Sequence, residues 1–291
     1  MDKALVVGLG MGQQYLQWLT EMGLSVDTVD TDPTKEPTFT DIEQVGNGYL
    51  IAVICTPNWT HDPIARSIAP KCSIVFVEKP GLVNADAWHS LVTDFPKTRF
   101  AMIKNNQFRG NIGEFASAAA ASSRVEVAWN SKNRVPNPGS WFTTKEKAFG
   151  GVSRDLIPHM LSYYVALTDY QAGKLTERTA EQRHNLDTIE STDYGQVYKN
   201  GTYDVDDFCR ICYTNKGVEW ILTANWKDNI ADNSSITFHT DTGPVRIELG
   251  LCPGDAYQVM MGIAINNINN DVFWSSQYNQ DMWIHRQIET I

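Results

Sequence analysis

The sequence predicts an α/β protein, in which a doubly wound parallel sheet precedes a second α/β domain with an open, mostly antiparallel sheet. Over roughly the first 115 residues, short apolar runs alternate with stretches whose apolar residues recur at helical spacing. From about residue 190 onward, strand-like runs follow one another without helical stretches between them, which indicates antiparallel pairing. We place the boundary near residue 120, so the expected domains are residues 1–120 and 121–291.

The first domain begins with the run KALVVGLG, which predicts a buried strand that ends in glycines. The next segment, QQYLQWLTEMG, has Tyr15, Leu16, Leu19 and Met22 at helical spacing, and Gly23 is its expected C-cap. Strands and helices then keep alternating, which predicts right-handed crossovers between parallel strands. The further predicted strands are LSVDTVD, YLIAVICTP, CSIVFVEKP and TRFAMIK, and the further helices are DPIARSIA and ADAWHSLVTDF.

The second domain is predicted to be richer in strands. SSRVEVAWNSK alternates as a strand does, the segment around 150–168 is helical in pattern, and ASAAAASS at 116–123 is expected to end a helix at the domain boundary. The segments TNKG and TDTG predict hairpin turns. The later strands are expected in YGQVYKNG, DDFCRICYTNKGVEWILTANW, SSITFHTDTGPVRIELG and AYQVMMGIAI.

The chain is acidic, with a net charge of −10 over 291 residues and a pI near 5.0. Binding to a phosphate backbone needs a basic surface, so we expect no nucleic-acid partner. We also expect no membrane association, because no apolar run approaches the ~18 residues of a span and no leader-like pattern opens the sequence. These features favour a cytoplasmic protein that binds a small molecule.

The cysteines are scattered and odd in number, which suits a reducing compartment. Cys209 and Cys212 form a CxxC, but the sequence nearby lacks the second pair or the histidine that a zinc site needs. The surrounding DDFCRICYT has the pattern of a strand. We therefore expect no metal site.

Glycines mark the turn between the first strand and the first helix. Such glycines let the backbone approach a pyrophosphate at a helix start, where N–H groups and the helix dipole favour anions. The common spacing GxGxxG would place glycine or alanine at position 13, where Gln13 stands, so the loop is one residue shorter. The sequence predicts a dinucleotide site, with a plain glycine turn as the alternative, in the loop formed by Gly8, Gly10, Met11 and Gly12.

An acidic residue at the end of the second strand supports the dinucleotide site. Asp30 lies twenty residues after Gly10, where a carboxylate accepts hydrogen bonds from ribose hydroxyls and repels a 2′-phosphate. This favours NAD over NADP as the cofactor, with Lys35 as the nearest cation. Asp32 is an alternative acceptor, and a role as turn residues remains the other interpretation of these aspartates.

Two further predicted strands end in polar residues. VFVEKPGL places Glu78 and Lys79 at the carboxyl end of a buried strand, which is where ligands bind in open α/β sheets. The preceding strand ends in TPNWTH, which adds further candidates to the same cofactor-binding rim: Thr56, Pro57, Asn58 and His61.

The segment GGVSRDLIPHM at 150–160 places a carboxylate and an imidazole four residues apart. In a continuous helix, Asp155 and His159 would share one face. A histidine held beside a carboxylate can transfer a proton near neutral pH. An incidental pair on a solvated helix face is the alternative.

Together these motifs resemble the Gfo/Idh/MocA oxidoreductases, named for glucose–fructose oxidoreductase and inositol dehydrogenase, over essentially the whole chain. The resemblance implies a Rossmann domain, a C-terminal α/β domain with an open sheet, and a homodimer or homotetramer. It also implies NAD(H)- or NADP(H)-dependent oxidation of a sugar, cyclitol or nucleotide-sugar hydroxyl, or reduction of the ketone. The matching segments are VVGLGMG at 6–12, VICTPNWTH at 53–61, VEKPG at 77–81, SWFTTKEKAFGG at 140–151 and GGVSRDLIPHM at 150–160.

By this resemblance Lys79 is the lysine of the EKP motif, and Asp155 and His159 are the active-site pair. Our hypothesis is that His159 accepts the hydroxyl proton, Asp155 orients the substrate or the imidazole, and Lys79 hydrogen-bonds the reacting oxygen. Lys79 is the alternative base if its surroundings lower its pKa.

Other residues are candidates for the substrate pocket. They follow the FAMIK strand or precede the glycine pair, and surface or packing roles are the alternatives: Asn105, Gln107, Arg109, Arg134 and Trp141. Substrate specificity is expected to come from loops such as 131–145 and 226–234. Two other functions stay open, a non-catalytic NAD-binding sensor and a reductase of the same fold that acts on a non-sugar substrate.

Overall fold

The computed structural model describes residues 2–228 and 232–289. They form two compact units, one from the residues up to Lys104 together with Gly254–Glu289, and one from Asn105–Pro253. These units differ from the expected domains 1–120 and 121–291, because the second unit begins earlier and the chain returns to the first unit for its last two helices. Part of the expected loop 226–234, residues 229–231, lies outside the described residues.

The first unit contains a parallel sheet of five strands in the order β2-β1-β3-β4-β5 among the described residues. Helices connect β1 to β2, β3 to β4 and β4 to β5, as predicted for a doubly wound sheet, whereas β2 and β3 are joined by short 3₁₀ turns. The strands are β1 Lys3–Val7, β2 Ser25–Val29, β3 Tyr49–Ile54, β4 Cys72–Val77 and β5 Arg99–Met102, and the helices are α1 Gly12–Glu21, α2 His61–Ile68 and α3 Ala85–Asp94.

The order of strands fixes where this sheet can bind a ligand. The chain leaves β1 toward β2 on one side, and β3 lies on the other side of β1. In open α/β sheets the crevice at such a switch point, beyond the carboxyl ends of the strands, is the usual ligand site. The predicted glycine loop and the segment that begins at Cys55 follow β1 and β3 directly, so they meet at this point.

The last two helices of the chain, α8 Gly254–Asn266 and α9 Asp271–Ile288, belong to the first unit. The prediction of a strand in AYQVMMGIAI is wrong, because this segment lies within α8. Its apolar residues also fit helical spacing, and the buried ones recur at Ala256, Tyr257, Met260, Met261 and Ala264. A short apolar run of this kind fits either a strand or a helix. In the structure it is a helix, and its Tyr257 stacks on Trp18 of α1.

A buried ion pair fixes α9 to the end of the parallel sheet. The Lys104 ammonium donates to the Asp281 carboxylate, and both side chains are essentially inaccessible. The second oxygen of Asp281 accepts from the Met102 backbone N–H at 3.1 Å. These hydrogen bonds offset the free-energy cost of burying the two charges. They also anchor α9.

The second unit contains a mixed sheet in the order β11-β10-β6-β9-β8-β7 among the described residues. All neighbours are antiparallel except β6 and β9, which are parallel. The predicted turns TNKG and TDTG do join antiparallel neighbours, β8 with β9 and β10 with β11. The strands are β6 Ser122–Asn130, β7 Lys174–Glu181, β8 Phe208–Asn215, β9 Val218–Asn225, β10 Asn233–Thr240 and β11 Gly243–Glu248.

The predicted strand YGQVYKNG is wrong, and β7 was not predicted. The backbone of YGQVYKNG instead forms hydrogen bonds with a loop. Tyr198 N–H donates to Pro138 O at 2.7 Å, and Asn137 N–H donates to Tyr194 O at 3.0 Å. The missed strand β7 has the sequence KLTERTAE and lies at the sheet edge, largely exposed. Exposed edge strands lack the apolar alternation that identifies a half-buried strand.

The helices of the second unit are α4 Ile112–Ala120, α5 Lys145–Ala148, α6 Val152–Asp155 and α7 Ile157–Leu167. Helix α4 ends just before β6, as expected from ASAAAASS. The helix predicted around 150–168 is interrupted at Leu156, and Pro158 lies in the first turn of α7. Within the described part of the chain, every helix is too short or too polar to cross a membrane.

Candidate functional site

The first glycine of the loop after β1 is required by close contact with β3. Gly8 has φ of 92°, and a Cβ there would lie 2.8 Å from Thr56 Cγ2 and 2.9 Å from Cys55 O. Only glycine tolerates both the left-handed backbone and this approach. The loop therefore packs directly on the segment that follows β3.

The other two glycines show how the shortened loop still forms. A Cβ at Gly12 would lie 2.9 Å from Val6 Cγ1, so this glycine permits close packing of α1 on β1. That is the role of the third glycine in the common fingerprint, here fulfilled one position earlier. A Cβ at Gly10 would meet no described atom within 4 Å beyond its neighbours, so the loop is open to a ligand at this point.

The start of α1 fits an anionic group. The helix begins at Gly12, its N-cap residue is Met11, and no described side chain caps it. Helix N-termini present N–H groups and a partial positive charge, which favour phosphate. With the open backbone at Gly10, the residues present fit the pyrophosphate of a dinucleotide.

Asp30 is hydrogen-bonded to the glycine loop. Its carboxylate accepts from Leu9 N–H at 2.6 Å, from Asp32 N–H at 2.9 Å and from Lys35 Nζ at 2.9 Å. Burial alone would raise the pKa of Asp30, but these hydrogen bonds outweigh it and hold the pKa below its usual value. Asp32, the alternative acceptor, instead binds Thr34 N–H at 3.0 Å and Thr34 Oγ1 at 2.6 Å.

His61 connects the ends of β3 and β4. It begins α2 and is fully buried, with Nδ1 2.8 Å from Gly81 O and Nε2 2.8 Å from Thr56 O. Burial lowers the pKa of His61, although the two carbonyl oxygens act in the opposite direction. Through these two contacts His61 links the segment that follows β3 to the segment that follows β4.

Glu78 connects the EKP segment to α1. One carboxylate oxygen accepts from Tyr15 Oη at 2.5 Å, and the other accepts from Lys79 N–H at 3.0 Å. Burial and then the charge of Glu78 raise the pKa of Tyr15 well above its usual value, so the phenol stays a donor. This bond fixes the backbone that presents the half-buried Lys79 side chain.

In the second unit, Asp155 and His159 each lie against a tryptophan near the end of a strand. Trp226, directly after β9, donates from Nε1 to Asp155 Oδ2 at 3.0 Å. The His159 ring lies 5.9 Å from the ring of Trp129, in the neighbouring parallel strand β6. The break at Leu156 means that a single helix does not place the pair, so the sheet helps to position both residues.

Asp206 anchors the start of α6 and was not predicted from the sequence. Its carboxylate accepts from Gly151 N–H at 2.8 Å, Ser153 N–H at 2.7 Å and Ser153 Oγ at 2.8 Å. A Cβ at Gly151 would lie 1.7 Å from Asp206 O, so only glycine fits at this position. The signal in the sequence was the acidic segment VDDF before β8, but nothing in the spacing relates it to Gly151.

Asn106, between the predicted Asn105 and Gln107, contacts the His159 backbone. Its Nδ2 donates to His159 O at 3.4 Å, and its Oδ1 accepts from Tyr163 Oη and Arg109 Nε, both at 3.1 Å. Arg109 also donates to Leu249 O at 2.8 Å. These contacts give Arg109 a structural role at the base of α7.

The remaining candidates, Arg134 and Trp141, differ in their surroundings. The Arg134 guanidinium lies 5.5 Å from the ring centroid of Trp129 and 4.7 Å from that of Tyr194. It therefore shares Trp129 with His159. Trp141 stacks on Phe142 with ring centroids 3.8 Å apart.

The CxxC motif lies in β8, as its sequence pattern indicated. Cys209 and Cys212 are buried and not joined to each other by a disulfide. Burial raises the pKa of both thiols, which makes them poor metal ligands and nucleophiles. Among residues 2–228 and 232–289, no group of three or more histidine, cysteine or carboxylate side chains could hold a metal ion.

Comparison with the sequences of known proteins finds a relative of this chain. No protein-family model matches the chain. A protein of Amycolatopsis mediterranei (strain S699), provisionally named the oxidoreductase subunit of UDP-kanosamine synthase, is 25% identical over 277 residues. The match covers 86% of this chain and 76% of that protein.

Solved structures match over nearly the whole length. GenD2 from gentamicin A biosynthesis, in complex with NAD, has a TM-score of 0.72 at 17% identity, covering 98% of this chain and 92% of that one. Levoglucosan dehydrogenase, in complex with NADH and levoglucosan, has a TM-score of 0.71 at 14% identity, covering 99% and 95%. The chain therefore has the fold of these NAD-binding oxidoreductases.

Proposed function

We propose that the protein is an NAD(H)-dependent oxidoreductase that transfers a hydride between the cofactor and a secondary hydroxyl or ketone of a sugar, cyclitol or nucleotide sugar. The observation that carries this proposal is the bond of 2.6 Å between the Asp30 carboxylate and Leu9 N–H, which joins the acidic residue to an open glycine loop. The relatives support it, because GenD2 is bound to NAD and levoglucosan dehydrogenase is bound to NADH and a sugar.

The residues of the first unit would hold the cofactor in distinct ways. The backbone from Gly10 to Gly12 and the start of α1 would receive the pyrophosphate. Asp30 would accept hydrogen bonds from the adenosine ribose and repel a 2′-phosphate, so NAD is preferred to NADP. The rim that follows β3 and β4 would face the nicotinamide half, through Thr56, Pro57, Asn58, Glu78 and Lys79.

Three side chains would handle the proton and the reacting oxygen. When bound, the nicotinamide supplies hydride exchange with the substrate carbon. In the oxidative direction, His159 accepts the proton of the substrate hydroxyl, and Lys79 donates a hydrogen bond to the same oxygen. Asp155, held by Trp226 at 3.0 Å, orients the substrate or the imidazole. Lys79 is the second candidate base, and the pH profiles of single variants separate the two.

Cofactor binding and turnover test this proposal in two steps. Quenching of tryptophan fluorescence measures NADH binding, and absorbance of the nicotinamide measures turnover over a panel of sugars, cyclitols and nucleotide sugars. We expect His159→Asn to keep NADH binding, and both His159→Asn and Lys79→Met to lower kcat by a factor on the order of 10² to 10⁴. Lys97→Met, at an exposed position of the same unit as Lys79, is the matched control and should behave as wild type.

Each failure has a distinct meaning. A protein that binds neither NAD⁺ nor NADH contradicts the proposal altogether. Cofactor binding without turnover of any compound in the panel favours the sensor function, while turnover limited to non-sugar ketones or imines favours the reductase alternative. Unchanged kcat in His159→Asn would remove this histidine from the mechanism.

We also propose that the protein forms a homodimer or homotetramer. The second unit has an open sheet, and such sheets form subunit interfaces in symmetric oligomers. Light scattering coupled to size exclusion should give two or four times the chain mass of 32.7 kDa. A monomer at micromolar concentration would contradict this part of the proposal.

A further inference from the structure

Helix α9 and the residue that follows it carry three polar side chains at a spacing of four: Asp281, His285 and Glu289. Residues at this spacing share one face of a helix. Each of the three accepts a hydrogen bond from a backbone N–H at the end of β5 or in the segment after β4. In the same order, the donors are Met102 at 3.1 Å, Leu82 at 3.1 Å and Ala85 at 2.7 Å. This face of the helix therefore binds the backbone at the carboxyl ends of two neighbouring strands.

His285 is the central member of this set and is fully buried. Its Nδ1 lies 2.7 Å from Asp281 O, which can only accept, so Nδ1 carries the proton. Leu82 N–H can only donate, so Nε2 is the acceptor of that bond. The ring also stacks on Trp88, with the ring centroids 5.0 Å apart. These contacts give the imidazole one orientation and one neutral tautomer.

The imidazole lies directly against the backbone of Gly81. A Cβ at Gly81 would lie 2.5 Å from His285 Nε2 and 2.7 Å from its Cε1, so a side chain there would collide with the ring. Gly81 N–H also donates to Glu78 O at 2.9 Å, which closes a four-residue turn around Lys79. His285 therefore contacts the end of the turn that presents the proposed catalytic lysine.

Residues of three helices hold this turn at its two ends. At the start of the turn, the Glu78 carboxylate accepts from Tyr15 of α1 at 2.5 Å. At its end, Gly81 O lies 2.8 Å from His61 Nδ1 of α2, and the next backbone N–H donates to His285 of α9. The side chain of a lysine is flexible, so its ammonium is placed only as well as the backbone that carries it. Removing one of these supports should therefore displace the lysine between the two ends.

We propose that His285 is a positioning residue for the reaction: by accepting from Leu82 N–H, it fixes the turn and with it the Lys79 ammonium. The inference rests on the proposed function, because it assigns a role to a side chain that acts through the proposed catalytic lysine. The imidazole itself is buried and acts only through the backbone. A misplacement of about 1 Å in a reacting group can lower a rate by about a hundredfold, so this support is large enough to matter for turnover.

Two replacements of His285 separate its hydrogen bond from its bulk. In His285→Gln, an amide oxygen can reach the position of Nε2, whereas His285→Met has a side chain of similar length without that acceptor. Both variants lose the stacking on Trp88, so the melting temperature should fall in both. We expect His285→Met to lower kcat by about tenfold to a hundredfold with a smaller change in KM, and His285→Gln to stay within about threefold of wild type. Equal kcat values in the two variants would overturn the proposal.

A double-variant cycle shows whether the effect passes through Lys79. In the Lys79→Met background, His285→Met should lower kcat by no more than about twofold, because the group that it positions is gone. Additive losses would contradict the proposal, since His285 would then act independently of the lysine. Ile284→Val, a buried change in the same turn of α9, is the control and should lower the melting temperature while leaving kcat unchanged.

The reactivity of the lysine gives a measurement that needs no turnover. Acetic anhydride labels amines, and mass spectrometry compares the labelling rate of Lys79 with that of the exposed Lys97 in the same sample. We expect this ratio to change by about threefold or more in His285→Met and to keep its wild-type value in His285→Gln, because release of a held segment alters the exposure of its side chains.

The labelling ratio also separates this proposal from the proposed function. An unchanged ratio in His285→Met overturns the positioning role even if the protein turns over none of the compounds in the panel. A changed ratio in a protein that binds neither NAD⁺ nor NADH would contradict the proposed function, while it would still support the positioning of Lys79 by His285.

Discussion

The indole N–H of Trp226 donates a hydrogen bond to the Asp155 carboxylate at 3.0 Å. Trp226 is 1% exposed and directly follows β9, whereas Asp155 ends the four-residue helix α6. A buried indole has little freedom to move, so the sheet sets the orientation of this carboxylate. Trp226 is therefore a positioning residue for the proposed catalytic pair.

Replacing this indole should lower both catalysis and stability. Trp226→Phe removes the N–H donor and part of the ring, and we expect a loss of about 1–3 kcal/mol in the free energy of unfolding. Because the carboxylate loses this hydrogen bond, kcat should fall by roughly tenfold to a hundredfold, with a smaller change in KM. Urea denaturation and steady-state kinetics measure the two effects.

Trp220→Phe is the matched control for this change. Trp220 is also 1% exposed and lies in β9, but its ring packs on Tyr164. It should lose similar stability while keeping kcat within about twofold. Equal kcat values in the two variants would show that the bond to Asp155 has no part in catalysis.

The contact of Asp30 with Leu9 and Lys35 predicts how the cofactor preference can be changed. Asp30→Ser removes the acceptor for ribose hydroxyls and the charge that repels a 2′-phosphate, and it releases Lys35 Nζ from its bond of 2.9 Å. We expect NADH binding to weaken by about tenfold and NADPH binding to improve. Asp32→Ser is the control, since Asp32 binds Thr34, and an equal shift in that variant would contradict the role of Asp30.

The glycine loop shows what the sequence could and could not predict. The strand, the glycines, the helix and Asp30 were recognised because each follows from local spacing. The spacing also departed from the common GxGxxG fingerprint, since Gln13 stands where the third glycine is expected. Only the coordinates show that Gly12 meets Val6 and so provides the close packing one position earlier.

The second unit was harder to predict because its contacts are distant in the chain. Asp206 fixes the start of α6 from 53 residues away, and no local pattern encodes that bond. The segment 256–265 was predicted as a strand because a short apolar run fits either structure, and its packing partner Trp18 lies in α1. A motif singled out Asp155 and His159 as candidates, but nothing in the sequence predicted the tryptophans beside them.

Burial of His61 predicts a pH dependence of stability. Burial is the dominant cause that lowers its pKa in the folded protein, so the unfolded chain binds more protons near pH 6. This contribution is fully present above the unfolded pKa of about 6.5 and is lost as pH falls through the folded pKa. We expect the free energy of unfolding, measured with urea, to fall between pH 7.5 and pH 5.5.

The variant His61→Gln should reduce that fall, because its side chain does not titrate. His89→Gln replaces an exposed histidine of α3 and should leave the fall unchanged. The difference between wild type and His61→Gln should therefore be larger at pH 7.5 than at pH 5.5. A difference that is constant with pH would show that protonation of His61 does not cause the fall in the free energy of unfolding.

The contact between Gly12 and Val6 predicts a clash that a second change relieves. Gly12→Ala places a Cβ 2.9 Å from Val6 Cγ1, and overpacking of this kind costs about 1–3 kcal/mol of stability. The double variant Gly12→Ala with Val6→Ala removes the clashing methyl, so its free energy of unfolding should exceed the value expected from adding the two single losses. Gly10→Ala adds a methyl group into open space and is the control, with stability close to wild type. Additive losses in the double variant would mean that α1 shifts away from β1 rather than packing against it. The shortened loop would then lack the close helix–strand contact that the proposed cofactor site requires.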